Sequence, residues 1–247
     1  MTLLQALLIS SWAGISGNYF MGYLGFDRPI VSGFVVGIIL GDLKTGIIIG
    51  ATIEAIFLGM FTVGAALAPD YNLAGIIGAA LGIASGFGIE SAVALAVPVA
   101  LLGQFIMIGF VYPMNLIPLH LSDKFAEQGR SRPIELLFYS GGILWFIKGF
   151  VPTFLAVYFG VQIVENTFNA IPNWLVDGFS VVGGILPALG FAMLLNVIGV
   201  KGRTIAFFML GFVAISYLPI DIIGLAIVGV VIAYIMASSN VEMEGSQ

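Results

Sequence analysis

Cysteine is missing from all 247 residues, so neither a disulfide nor thiol chemistry is open to this chain. A single histidine, His120, excludes a multi-histidine metal site. No Walker loop, zinc-protease motif or nucleophile elbow occurs, and no cofactor is implied. Charge is scarce as well. Asp, Glu, Lys and Arg make up 9% of the chain, against about 25% in a soluble domain. The net charge of −5 is thinly spread, with no basic patch for nucleic acid.

What fills the space is apolar sequence. Hydrophobic residues account for 60% of the chain, and the mean hydropathy is +1.13. Residues 1–26, 91–122, 178–200 and 222–241 carry no Asp, Glu, Lys or Arg, as bilayer spans require. The first of these lacks a basic leader and is too long for a signal peptide, so it reads as a retained span. The chain therefore reads as one all-α, polytopic membrane domain over residues 1–247. About 20 residues per span gives roughly eight to ten membrane segments.

The first half is interrupted, not smoothly apolar. The chain holds 33 glycines and 10 prolines; prolines inside apolar runs predict broken or kinked helices, and the short, interrupted segments suggest re-entrant hairpins or discontinuous helices. Glycines recur at helical spacing: Gly33, Gly37 and Gly41; Gly46 and Gly50, leading to Glu54; and Gly78, Gly82 and Gly86, leading to Glu90. Small residues in such rows let helix backbones approach closely. The two rows that end in a carboxylate also suggest a duplicated element.

The longest polar segment, residues 122–132, carries Lys124, Arg130 and Arg132. The positive-inside rule makes it a cytoplasmic loop. Counting spans onward puts residues 160–177 on the outer side and Lys201 to Arg203 back in the cytoplasm. The short polar tail, residues 239–247, then lies inside.

Glu54 is the residue that most demands an explanation. It sits in an otherwise uncharged run, where a hydrocarbon-buried charge costs about 2.5 to 3.5 kcal/mol and usually faces a cavity. The row Gly46–Gly50–Glu54 predicts a glycine-lined groove beneath the carboxylate. Glu54, Thr52, Asp70, Asn72 and Gln104 form a polar set of the kind that recognises sugar hydroxyls, each of which both donates and accepts. On a regular helix Thr52 and Glu54 point apart, so a shared ligand needs an unwound segment or a re-entrant tip. Asp70, after Ala68-Pro69, reads equally as a helix cap, and Gln104 as a bond to a neighbouring helix. Asp42 and Lys44 read as a tight turn, Arg28 as a head-group anchor, Glu90 as interfacial and His120 as solvated.

Residues 27–59 (DRPIVSGFVVGIILGDLKTGIIIGATIEAIFLG) resemble the signature of the membrane IIC subunit of mannose/fructose/sorbose-family sugar phosphotransferase systems. GAALAPD (64–70), ALAVPVALLGQ (94–104) and residues 169–194 are similar to the same subunit, so the likeness covers nearly the whole chain. The resemblance implies a bacterial inner-membrane sugar permease subunit with an elevator-type movement. It also implies a IID membrane partner in a trimer of heterodimers, and IIA and IIB proteins that supply the phosphoryl group. Thr52, Glu54 and Asp70 then fall in the sugar-binding segment, and Gln104 closes a second matching one. Two other readings stay open from the residues: a proton-coupled sugar transporter with Glu54 as carrier, and a receptor subunit without transport.

Overall fold

Arg28 is extended and Pro29 occupies the first turn of α3 (Pro29–Leu40), where a missing N–H costs nothing. Gly41 ends that helix in the left-handed conformation at φ 83°, and Asp42 starts α4 (Leu43–Phe57) by accepting the Thr45 amide at 3.1 Å. The expected tight turn at Asp42 and Lys44 is therefore present. It folds α3 and α4 into a hairpin of 12 and 15 residues. Each helix is shorter than the roughly 20 residues of a full span.

The computed structural model describes residues 1–59, 68–85, 89–160, 173–198 and 202–244. Their regular elements are all helices, with no strand among the described residues. Before the hairpin come α1 (Leu3–Ser16), opened by a Thr2/Gln5 capping box, and the short α2 (Tyr19–Tyr23). After it come α5 (Tyr71–Ser85), α6 (Ile89–Ile106), α7 (Tyr112–Glu127), α8 (Ser131–Tyr158), α9 (Asn173–Ile198), α10 (Arg203–Tyr217) and α11 (Ile222–Glu244).

At four prolines the chain stays helical without a break. Pro98, Pro118, Pro152 and Pro187 all lie inside helices. Between α6 and α7 the chain instead loosens into a π-helical turn, Met107–Val111, just before Pro113. The missing Pro113 amide removes a helical donor, and a wider turn absorbs the misfit. Ile89–Glu127 is thus one rod of 39 residues, about 58 Å at ~1.5 Å per residue. It and α8 are the two described stretches long and apolar enough to cross a membrane.

The chain divides into two units, Met1–Leu194 and Leu195–Gln247. In the first, Ile9, Val36, Ile49, Ile53, Ile76 and Val93 are fully or almost fully buried in the core. Glycine sets the tightest contacts. A Cβ on Gly33 would collide with the Gly46 carbonyl, and one on Gly50 would lie 3.1 Å from Gly33 Cα. The groove expected beneath Glu54 is therefore filled by the backbone of α3. The expected row from Gly78 to Glu90 is also corrected, because α5 ends at Ser85 and Glu90 belongs to the next helix. Gly78 and Gly82 instead make room for Ile53 and Ile49, and Gly86 lies outside the described residues.

At the basic segment, Gly129 (φ 65°) ends α7 with the Gly129 amide on Ala126 O (3.0 Å) and the Arg130 amide on Phe125 O (2.9 Å). This paired closure turns the chain directly into α8. The expected outer segment, residues 160–177, lies largely outside the described residues, as do Lys201 and the end of the tail. In the second unit, α10 and α11 leave their large apolar side chains exposed: Tyr217 is 79% accessible and Val230 70%.

Candidate functional site

A cavity of about 490 Å³ opens in the first unit, within the size range of small-molecule sites. Its wall includes Asn18 and Asp27 from the α1–α3 segment, Asp70 and Asn72 at the start of α5, Gln104 on α6, and Trp145 and Lys148 on α8. The π-helical turn contributes Met107, and Tyr112 follows it.

Asp70 is held from three sides. Its Oδ1 accepts the Leu73 amide at 3.0 Å, capping α5, and its own amide donates to Ala100 O at 3.0 Å. Its Oδ2 forms an ion pair with Lys148 Nζ, both side chains being almost completely buried. Gly103 leaves room for this arrangement, because a Cβ there would sit 2.5 Å from Asp70 Cβ. Both expected roles of Asp70 are therefore compatible: one oxygen caps a helix while the residue also lines the cavity.

Asn72 is engaged elsewhere. Ser32 Oγ donates to its Oδ1 (3.0 Å), its Nδ2 donates to Ser16 Oγ (3.1 Å), and Trp12 Nε1 donates to Ser32 (3.2 Å). This buried network ties α1, α3 and α5 together. Asn72 touches the cavity chiefly as part of its frame.

Glu54 and Thr52 are not among the cavity-lining residues. The helix stays regular through both, so they point apart as the spacing requires. Thr52 Oγ1 donates back to Ile48 O at 2.8 Å. Glu54 faces Arg28 at 3.3 Å and also accepts the Ile30 amide at 3.5 Å. Arg28, expected at the head groups, is half exposed and lies 5.8 Å from the Tyr71 ring centre. Tyr71 in turn donates to Asp27 Oδ2 at 2.7 Å, on the cavity wall. Glu90 and His120 are exposed.

Sequence reasoning missed Lys148, Trp145 and Asp27. Lys148 carried a usable signal, since it is the single charge in residues 136–158. The rule that singled out Glu54 applies to it equally. Lys148 Nζ also lies 5.2 Å from the Trp145 ring centre, a cation–π distance. Asp27 offered no such signal, because its partner Tyr71 is remote in sequence.

The family profile described as "PTS system sorbose-specific iic component" matches residues 3–235. The chain belongs to that family. This IIC chain is 37% identical over 234 residues to the mannose-specific EIIC component of Escherichia coli, covering 94% of itself and 87% of that protein. It is 38% identical over 214 residues to the sorbose-specific component of Klebsiella pneumoniae, covering 86% and 80%. It is 32% identical over 227 residues to the fructose permease IIC component of Bacillus subtilis, covering 92% and 83%. Two solved structures share its fold at 35% identity, each covering 96% of both chains. One, described as a membrane protein, has a TM-score of 0.85, and the other, the mannose transporter ManYZ with a bound microcin, has 0.62. The expected family resemblance and a membrane location are thereby established.

Proposed function

We propose that this chain is the sugar-translocating membrane component of a bacterial phosphoenolpyruvate-dependent phosphotransferase system, carrying a mannose-type hexose or a related sugar. The observation that carries the reading is the cavity walled by Asp70, Gln104, Lys148 and Trp145 inside a IIC-family membrane fold. Its mix of carboxylate, amide, ammonium and aromatic groups suits a neutral polyhydroxylated ligand. Asp70 and Gln104 act as sugar ligands, Asn72 frames the site, and Glu54 and Thr52 stand outside it.

Phosphoryl transfer belongs to partner proteins. The chain works with a IID membrane subunit, in a trimer of heterodimers moving by an elevator-type step in the inner membrane. Soluble IIA and IIB proteins deliver phosphate. The solved ManYZ transporter, similar to this chain, supports a membrane partner.

Uptake into vesicles holding the chain and these partners tests the reading. Sugar should accumulate as sugar phosphate and require phosphoenolpyruvate. Free sugar accumulated on a proton gradient would replace this reading with a secondary transporter.

A further inference from the structure

The first cavity has a larger neighbour. A second cavity, of about 810 Å³, lies along α7 and α8 and shares Asn18, Tyr23 and Trp145 with the wall of the first. From Trp145 it extends to Ser122, in the last two turns of α7, and to Ile134, in the first turn of α8. It therefore reaches from the first cavity toward the basic turn that joins these helices.

Most of its lining is aromatic or aliphatic, but two amides stand in it. Asn115 belongs to the apolar rod Ile89–Glu127. Its side chain is half-buried and forms no hydrogen bond with any described residue, yet its amide atoms stay accessible. Asn18 Oδ1 accepts the Phe20 amide at 3.3 Å, while its Nδ2 bonds none of the described residues. Both amides face the Gly141-Gly142 step of α8. A Cβ on Gly141 would meet only Asn115 Oδ1, at 3.6 Å, and one on Gly142 only Asn18 Nδ2, at 3.5 Å. The two glycines thus keep the space beside both amides open.

An amide without a partner inside an apolar membrane helix is costly unless it meets a polar solute. No charged side chain lines the second cavity among the described residues, so an ion finds no counter-charge there. An acyl chain would suit the apolar wall but leave both amides unpaired. A sugar answers both parts of the lining. Its hydroxyls donate and accept as an amide does, and its C–H face can lie on rings such as Phe138 and Trp145.

We infer that the second cavity is a further sugar site, a station between the first cavity and the α7–α8 turn, with Asn115 and Asn18 as its hydroxyl ligands. This rests on the reading that the first cavity holds sugar.

The test uses the purified full chain with its membrane partner and one of two single cysteines, Met107→Cys on the first wall or Leu119→Cys on the second. Protection from a thiol reagent reports binding of mannose, glucose or fructose. The sugar that protects Met107→Cys should also protect Leu119→Cys. Asn115→Leu, of similar shape but without the amide, should raise the sugar concentration needed at Leu119→Cys about 5- to 20-fold, the range of one or two neutral hydrogen bonds. The value at Met107→Cys should move by less than about 3-fold. If that variant does not fold, Asn115→Ala, which removes the amide without adding bulk, should give the same split.

Equal shifts at the two cysteines, or none at either, overturn the inference. So does protection confined to Met107→Cys when sugar is raised about 100-fold above the concentration needed there. Protection of Leu119→Cys by added phospholipid and by no sugar overturns it in favour of a lipid site. Failure of all three sugars to protect Met107→Cys defeats the reading of the first cavity itself.

Discussion

Glu54 lies 3.3 Å from Arg28 at the start of α3 and is not among the residues lining the cavity around Asp70. The carboxylate therefore ties α4 to α3. Because Arg28 is half exposed, the tie is weak, on the order of 1 kcal/mol or less. Glu54→Gln should lower the melting temperature of the detergent-purified complex slightly and change sugar affinity by less than about 3-fold. A loss of about 10-fold or more in direct binding would return Glu54 to the site.

The hairpin of α3 and α4 is closed by backbone contact at Gly33 and Gly46. Gly33→Ala should destabilise the protein by roughly 1 to 3 kcal/mol, as overpacked contacts do. Gly211→Ala on α10, where a Cβ meets nothing within 4 Å, is the matched control and should be neutral or slightly stabilising. Equal thermal stability of the two variants would contradict the close approach.

Two carboxylates, Asp27 and Asp70, share the cavity wall with one ammonium, Lys148. That excess of negative charge should repel a phosphorylated sugar. A hexose phosphate should protect Met107→Cys at least about 10-fold less well than the free hexose. Comparable protection by both ligands would show that the wall does not discriminate by charge.

The turn joining α7 to α8, with Lys124, Arg130 and Arg132 around it, should face the cytoplasm. A chain without native cysteine makes this simple to read. In intact cells an impermeant thiol reagent should label Asn166→Cys and spare Gln128→Cys. The opposite pattern would invert the orientation.

With one histidine and no cysteine, the chain has no evident phosphate relay. Purified alone with phosphoenolpyruvate and sugar, it should form no sugar phosphate. Product should appear once the partner proteins are added. Robust formation by the chain alone, measured with labelled sugar, would refute the division of labour.

Much of the architecture was legible before the fold. Polarity and glycine marked the turn at Gly41-Asp42, because caps are local chemistry, whereas the polar segment expected as a loop over residues 122–132 leaves only residues 128–130 outside helices. Glycine spacing identified close-packing faces on α3 and α4, but not that each would fill the other's groove. That pairing depends on tertiary docking, which spacing within one helix does not encode. Asp70, Asn72 and Gln104, which line the cavity, stood out in the sequence because polar residues are rare in this apolar chain. Glu54 and Thr52 met the same criterion but do not line this cavity, because rarity alone does not say which way a side chain faces. Asp27 and Tyr71, 2.7 Å apart, meet only when α3 packs on α5.

The hairpin also bears on how the protein is made. Its two helices are joined by a minimal turn, so the contacts between Gly33 and Gly46 close a short loop at little entropic cost. Such a unit assembles as soon as α4 has been synthesised, before α5 emerges to pack against it. It then offers the nascent chain a ready-made surface on which the later cavity-bearing helices are laid down.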